Sequence, residues 1–227
     1  MRFSRTIRAT IPSKATDYYD WVSAFETYRR YVTPTSKVLE IGASRPEKTR
    51  ELSRWCHELI GVELLAKRTP KNFGNVRYVT GDWENLSALV PAESIDLAIS
   101  THVIEHVPND LKAMNELYEV LKPGGRAILN TPNRKRLVRT VIERVSSERV
   151  FPFGEHVREY LETDLIELLA NSRFHKYAVY PVVLGLHGGP FFLYSTSVPK
   201  RLRGLANFWE IHLSKERVDL MNTSSKR

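Results

Sequence analysis

Cysteine is almost absent. The 227-residue chain carries one, Cys56, so no intramolecular disulfide can form. A lone thiol fits a reducing compartment, and between Trp55 and His57 it reads as a buried helix thiol. Nowhere do about 18 apolar residues run together, which excludes a transmembrane helix. The opening MRFSRTIRATIPSK is basic but has no apolar centre, so it does not read as a secretory signal, and the expected location is the cytoplasm. Internal repeats and low-complexity tracts are also lacking, which excludes repeat architectures.

What is present is the balance of a soluble globular protein: 42% hydrophobic and 26% charged residues. The length suits one α/β domain with a modest addition. Lysine and arginine exceed the acids by 34 to 26, for a formal charge of +8. That excess favours anionic partners such as phosphorylated small molecules, nucleic acid or an acidic membrane surface. It clusters at 134–149 and toward both termini, where a solvated face accounts for it equally well.

From Lys37 onward, short apolar runs alternate with helical spacing. Residues 38–41, 59–63, 76–80, 95–100 and 126–130 read as buried strands; 49–56 and 110–121 read as helices, with Leu111, Met114, Leu117, Val120 and Leu121 inward. Strict alternation predicts a doubly wound parallel sheet, with ligands at the carboxyl ends of the strands near the switch point. Residues 14–32 read as a helix bearing Tyr18, Trp21, Phe25 and Tyr28, within an N-terminal helical extension over 1–36. The main domain would then span 37–227, with an insert at about 134–160, irregular or helical over 134–150. A further helix over 163–171, capped by Thr163, and two closing strands at 176–184 and 208–213 complete the expectation. The stretch 188–205 yields no assignment.

Several segments carry chemistry. In KVLEIGASRPEKTREL (37–52), a strand ends in Glu40 and turns at Gly42, where a ligand can approach the backbone. Ser44 and Glu47 have capping-box spacing, with Pro46 in the first helical turn. In LIGVEL (59–64), Glu63 ends the second strand, where a carboxylate can accept from both ribose hydroxyls of a nucleoside. VRYVTGDWENL (76–86) places Asp82 and Trp83 after the third strand. IDLAISTHVIEHVPN (95–109) and ELYEVLKPGGRAILNTPN (116–133) follow, the latter with a helix-stopping Pro-Gly-Gly turn. In this order and at these intervals, the segments resemble the motifs of class I S-adenosylmethionine-dependent methyltransferases. The resemblance covers 37–133 firmly and extends loosely to 174. Its departure is that Ser44 and Pro46 stand at two positions usually held by glycine.

The resemblance implies a seven-stranded Rossmann-like fold and S-adenosylmethionine as cofactor. Glu40, Gly42 and Ser44 would shape the cofactor loop, Glu63 would hold the ribose, Asp82 and Trp83 the adenine, and Ser100 to His102 the methionine end. FPFGEHVREYLETDLIELLANSRF (151–174) resembles the substrate-side segment of small-molecule and glycan methyltransferases, whose His, Arg and Tyr face the substrate; here these are His156, Arg158 and Tyr160. His106 and His156 are the candidates for proton handling. The same stretch admits two other readings. His102-Val-Ile-Glu105-His106 matches the His-x-x-Glu-His of inverted zinc peptidases. Ubiquinone-type O-methyltransferases carry Glu-x-x-Glu-His there around a divalent cation, which Glu105 and His106 match while His102 replaces the first ligand. No metal is assigned. The expected acceptor is a small molecule or a glycan or lipid precursor, for which the positive charge favours an anion. An RNA methyltransferase and a non-catalytic binding protein are the alternatives.

Overall fold

A computed structural model describes residues 8–10, 24–145, 154–188 and 191–216. Strand β1 (Arg8–Thr10) and helix α1 (Ala24–Tyr28) precede an alternation of β2 (Lys37–Ile41), α2 (Pro46–Ser53), β3 (Glu58–Glu63), β4 (Val76–Thr80), β5 (Ile95–Thr101), α3 (Asp110–Val120) and β6 (Leu121–Pro132). Helices α4 (Leu137–Val145) and α5 (Glu162–Asn171) follow, then strands β7 (Lys176–Val182), β8 (Leu184–Gly188), β9 (Phe191–Ser195) and β10 (Phe208–Ser214).

The main sheet has seven strands in the order β4-β3-β2-β5-β6-β10-β7. Pairing is parallel from β4 through to β6, whereas β10 runs antiparallel to both β6 and β7. The doubly wound parallel sheet expected from the alternation is present over β2 to β6, and the antiparallel β10 makes the whole seven-stranded sheet mixed. The chain steps outward from β2 to β4 and returns on the other side of β2 as β5, so the switch point lies between β2 and β5. A three-stranded antiparallel sheet, β1-β9-β8, stands apart.

Burial on both faces explains why the strands read as continuous apolar runs. Along each strand, side chains alternate between two cores. Leu39, Ile60, Ala98, Ala127 and Leu129 pack on one side with Ala113, Met114 and Leu117 of α3 and with Leu165 and Leu169 of α5. Val38, Leu59, Leu97, Ile99 and Ile128 pack on the other with Phe25 and Tyr28 of α1 and Leu52 of α2. The Asn109 carboxamide starts α3 by accepting from the Lys112 N–H at 2.9 Å.

Other local expectations change. Helix α2 starts at Pro46 behind Arg45, and no side chain caps it, so Ser44 and Glu47 form no capping box. Leu161, not Thr163, precedes α5; the Asp164 carboxylate accepts from the Leu161 N–H at 2.8 Å. The stretch without an assignment supplies β9 and a 3-10 turn, Lys200–Leu205. Of the expected 14–32 helix, residues 24–28 are helical, while 14–23, with Tyr18 and Trp21, lie outside the described residues. No helix among the described residues is long and apolar enough to cross a membrane.

Cys56 lies in the turn after α2 rather than in the helix, buried, with Sγ near the Leu52 and Ser53 carbonyls. Burial, assisted by the Glu58 charge, pushes its thiol up to about 11. Because the thiolate is the nucleophile, alkylation of native protein at pH 8 is expected to be slow, rising toward pH 11 and becoming fast in denaturant. Rapid iodoacetamide labelling of the folded protein at pH 8 would contradict this burial.

Candidate cofactor and active site

A cavity of about 780 Å³ opens at the carboxyl ends of β2, β3 and β5, the size of a small-molecule or cofactor site. Its lining includes Glu40, Gly42, Ser44, Glu63, Asp82, Trp83, Ser100 and His102, all singled out in the sequence, and His106. His156 is not part of the lining.

Each position has a local cause. Glu40 is the penultimate residue of β2 and buried, and its Oε2 accepts from the Thr49 hydroxyl at 2.7 Å. Burial raises its carboxyl above the usual range, against the opposing pull of Lys48 and Thr49. Gly42 has φ +80, and a Cβ there would come within 2.4 Å of Val103 Cγ2, so backbone and packing both demand glycine. Glu63 is buried at the end of β3 and accepts from the Leu65 N–H at 3.3 Å. Asp82 caps the 3-10 turn Trp83–Ala88 by accepting from the Glu84 N–H at 2.9 Å, which carries Trp83 into the core. The Trp83 Nε1 and the Ser100 hydroxyl are buried with no hydrogen-bond partner among the described residues.

His102 follows β5 in a left-handed conformation, φ +56, uncommon for a residue with a Cβ. Its N–H donates to the Asn130 carbonyl at 2.9 Å and its ring meets Phe208 edge-on. Only Ile104–His106 continues as a 3-10 turn, so His102 and His106 do not share a helical face, and the peptidase geometry is absent. Glu105 in that turn is wholly buried, with Oε2 accepting from Thr131 at 3.0 Å and Oε1 lying 3.5 Å from His102 Nδ1. Burial alone would raise its carboxyl, but His102 and Thr131 outweigh it and hold it below the ordinary range.

The segment after α4 docks on this turn. The Val157 and Arg158 N–H groups donate to the Glu105 carbonyl at 2.9 and 3.2 Å. His106 Nδ1 lies 3.1 Å from the Glu155 carbonyl; a carbonyl can only accept, so Nδ1 carries the proton. The His156 ring packs edge-on against His106, centroids 4.7 Å apart, and its Nδ1 reaches Glu159 Oε1 at 3.0 Å. Glu159 is buried and also bonded by Arg136 at 3.0 Å and Arg139 at 2.5 Å. One ligand atom each of Glu105, His106 and His156 lie within 4.8 Å of one another, a trio compatible with a cation and different from the His102, Glu105, His106 set read from the sequence.

Arg158 and Tyr160 lie outside the lining of the main cavity. Arg158 bonds the Val107 and Pro108 carbonyls, and the Tyr160 hydroxyl donates to Asp110 at 2.9 Å, so both clamp the segment to the start of α3. Sequence reasoning missed Lys48, whose side chain is buried in the cavity wall. A charged residue beside Thr49 and Leu52 on the inward face of α2 was the available signal.

A nucleoside-sized cavity at the switch point, beneath a sheet whose one antiparallel strand lies second from the edge, defines a Rossmann-like methyltransferase fold. Residues 11–177 match the family described as "Methyltransferase domain". A protein of Mycolicibacterium smegmatis named "Probable S-adenosylmethionine-dependent methyltransferase" is 28% identical over 180 residues, 73% of this chain and 63% of that protein. A ubiquinone biosynthesis O-methyltransferase of Cereibacter sphaeroides is 28% identical over 127 residues, 53% of this chain and 51% of that one. The chain thus spans about half to three fifths of the length of these curated relatives. Among solved structures, the YcgJ protein of Bacillus subtilis superposes with a TM-score of 0.62 at 17% identity, covering 86% of this chain and 98% of that one. A chain in the Haloferax volcanii complex of the Trm112 methyltransferase activator with a methyltransferase gives 0.66 at 13%, covering 90% and 93%. This chain belongs to the class I, S-adenosylmethionine-dependent methyltransferase family.

Proposed function

We propose that the protein transfers the methyl group of S-adenosylmethionine to a small-molecule acceptor at this cavity. The observation that carries the proposal is that eight residues scattered from Glu40 to His102 converge on one switch-point cavity. The residues fit the cofactor: a buried carboxylate, Glu63, suits a ribose diol, the Trp83 ring suits a base, and the unpartnered Ser100 hydroxyl suits a polar amino-acid tail. Asp82 lies beside Trp83 for the adenine amino group, while Glu40, Gly42 and Ser44 bound the turn and His102 the methionine end.

When bound, the cofactor supplies an electrophilic methyl on a sulfonium, open to direct displacement by the acceptor's lone pair. What remains for the protein is alignment, exclusion of water and, for a hydroxyl or amine acceptor, removal of a proton. His106 serves as that base. Its Nδ1 proton is held by the Glu155 carbonyl, which leaves Nε2 the basic nitrogen, and the residue lines the cavity. His156 acts as a positioning residue, packed against the His106 ring and held by Glu159. Exposed Lys67 and Arg68 in the lining support an anionic glycan or lipid precursor as acceptor. A buried lone thiol supports a cytoplasmic setting.

Calorimetry with S-adenosylmethionine, followed by labelled-methyl transfer to a panel of anionic hydroxyl and amine acceptors, tests the proposal. His106→Ala is expected to lower turnover on a hydroxyl acceptor by roughly 10²- to 10⁴-fold with cofactor affinity unchanged. Absence of cofactor binding would favour the non-catalytic reading, and transfer confined to RNA would replace the small-molecule acceptor.

A further inference from the structure

Lys48 is a buried cation in the cofactor cavity that the sequence motifs do not account for. Its side chain leaves α2 toward the cavity and is 6% exposed. An ammonium so far out of water needs acceptors for three donors. Among the described residues it has one hydrogen bond, to the Thr101 hydroxyl at 3.1 Å, and no carboxylate within ion-pair distance. Glu40 acts on it only through space, since the Glu40 carboxylate is bonded to Thr49 instead. The Thr101 hydroxyl is itself fixed by Tyr28 at 3.0 Å, and Asn130 donates to that phenol at 3.3 Å, so the lysine rests on a built support.

The start of α2 lacks part of what an anion would use. Pro46 occupies the first helical position and offers no N–H. Two residues further along, Lys48 brings an ammonium to the same cavity wall.

We infer that Lys48 receives the α-carboxylate of the cofactor's amino-acid tail; the inference rests on the methyltransferase reading above. An ammonium with unused donors, in a wall that also presents the unpartnered Ser100 hydroxyl, matches a carboxylate's two oxygens. Lys48 thereby makes the site selective for cofactor forms that keep the amino-acid tail.

The experiment compares two ligands on the same protein. S-adenosylhomocysteine keeps the carboxylate; 5′-methylthioadenosine has the same nucleoside and thioether sulfur without the amino-acid tail. Calorimetry on wild type, Lys48→Met and Lys48→Arg reads both affinities. Lys48→Met is expected to weaken S-adenosylhomocysteine by about ten- to a hundredfold while 5′-methylthioadenosine changes by less than about twofold. Lys48→Arg should recover part of the first loss. Equal weakening of both ligands in Lys48→Met would overturn the inference, because the lysine would then only support the fold. Unchanged binding of both would overturn it equally. If wild type binds 5′-methylthioadenosine but gains nothing from the amino-acid tail, the inference fails and the nucleoside reading stands. If wild type binds neither ligand, the methyltransferase reading fails and takes this inference with it.

Discussion

Glu63→Ala is expected to weaken S-adenosylmethionine binding by about a hundredfold or more, measured by calorimetry against wild type. The carboxylate sits at the end of β3, 7% exposed, in the wall of the cavity. A ribose offers it two hydroxyl donors, and hydrogen bonds to a charged acceptor contribute about 1.5–3 kcal/mol each. Losing both corresponds to roughly two or more decades of affinity. Among the described residues the side chain accepts only from the Leu65 N–H, beside exposed Leu64 and Leu65, so thermal stability should change little. Equal affinity in the mutant would move the ribose elsewhere in the cavity and undo the assignment of β3 to the cofactor.

The largest loss of stability is expected from Glu159→Ala, at about 3–5 kcal/mol in urea unfolding. Arg139 is the only buried residue of α4, its side chain 4% exposed, and Glu159 is fully buried opposite it. The same carboxylate also holds Arg136 and His156. Removing the acid deprives the interior Arg139 guanidinium of the Glu159 carboxylate, which costs far more than the pair contributes relative to an apolar replacement. The double variant Arg139→Met with Glu159→Leu should therefore recover much of the loss. A drop of less than about 1 kcal/mol for Glu159→Ala would mean that water reaches Arg139 and that the clamp does not hold the segment bearing Glu155 and His156.

The parts of this architecture that could be read from sequence are those fixed by local period and by turn chemistry. The neighbours Val38 and Leu39, or Ala127 and Ile128, are apolar at every position because each strand is buried on both faces, and this signals a sheet covered on both sides. The cavity-lining residues were legible because they lie at, or just beyond, the carboxyl ends of successive strands. What escaped was decided at a distance. Arg8 pairs with Tyr194 and Thr10 with Phe192, a register that no window of neighbouring residues contains. The antiparallel direction of β10 depends on its insertion between β6 and β7. Arg158 and Tyr160 turn away from the main cavity because the Val107 and Pro108 carbonyls and Asp110 stand within their reach. Ser44 and Glu47 had the spacing of a capping box, yet Pro46 set the helix start one residue later.

The place of β10 also bears on how the chain comes to be folded. Strands β2 to β6 can add to one another as the chain leaves the ribosome, each finding a neighbour already made. Strand β7 cannot, because its partner in the sheet is β10, which follows it by some 26 residues and is the last strand described. Until Phe208–Ser214 emerges, β6 and β7 both present open edges with unpaired backbone donors and acceptors. Strand β10 is a wedge, and a nascent chain waiting for it is at its most prone to pairing with a stranger.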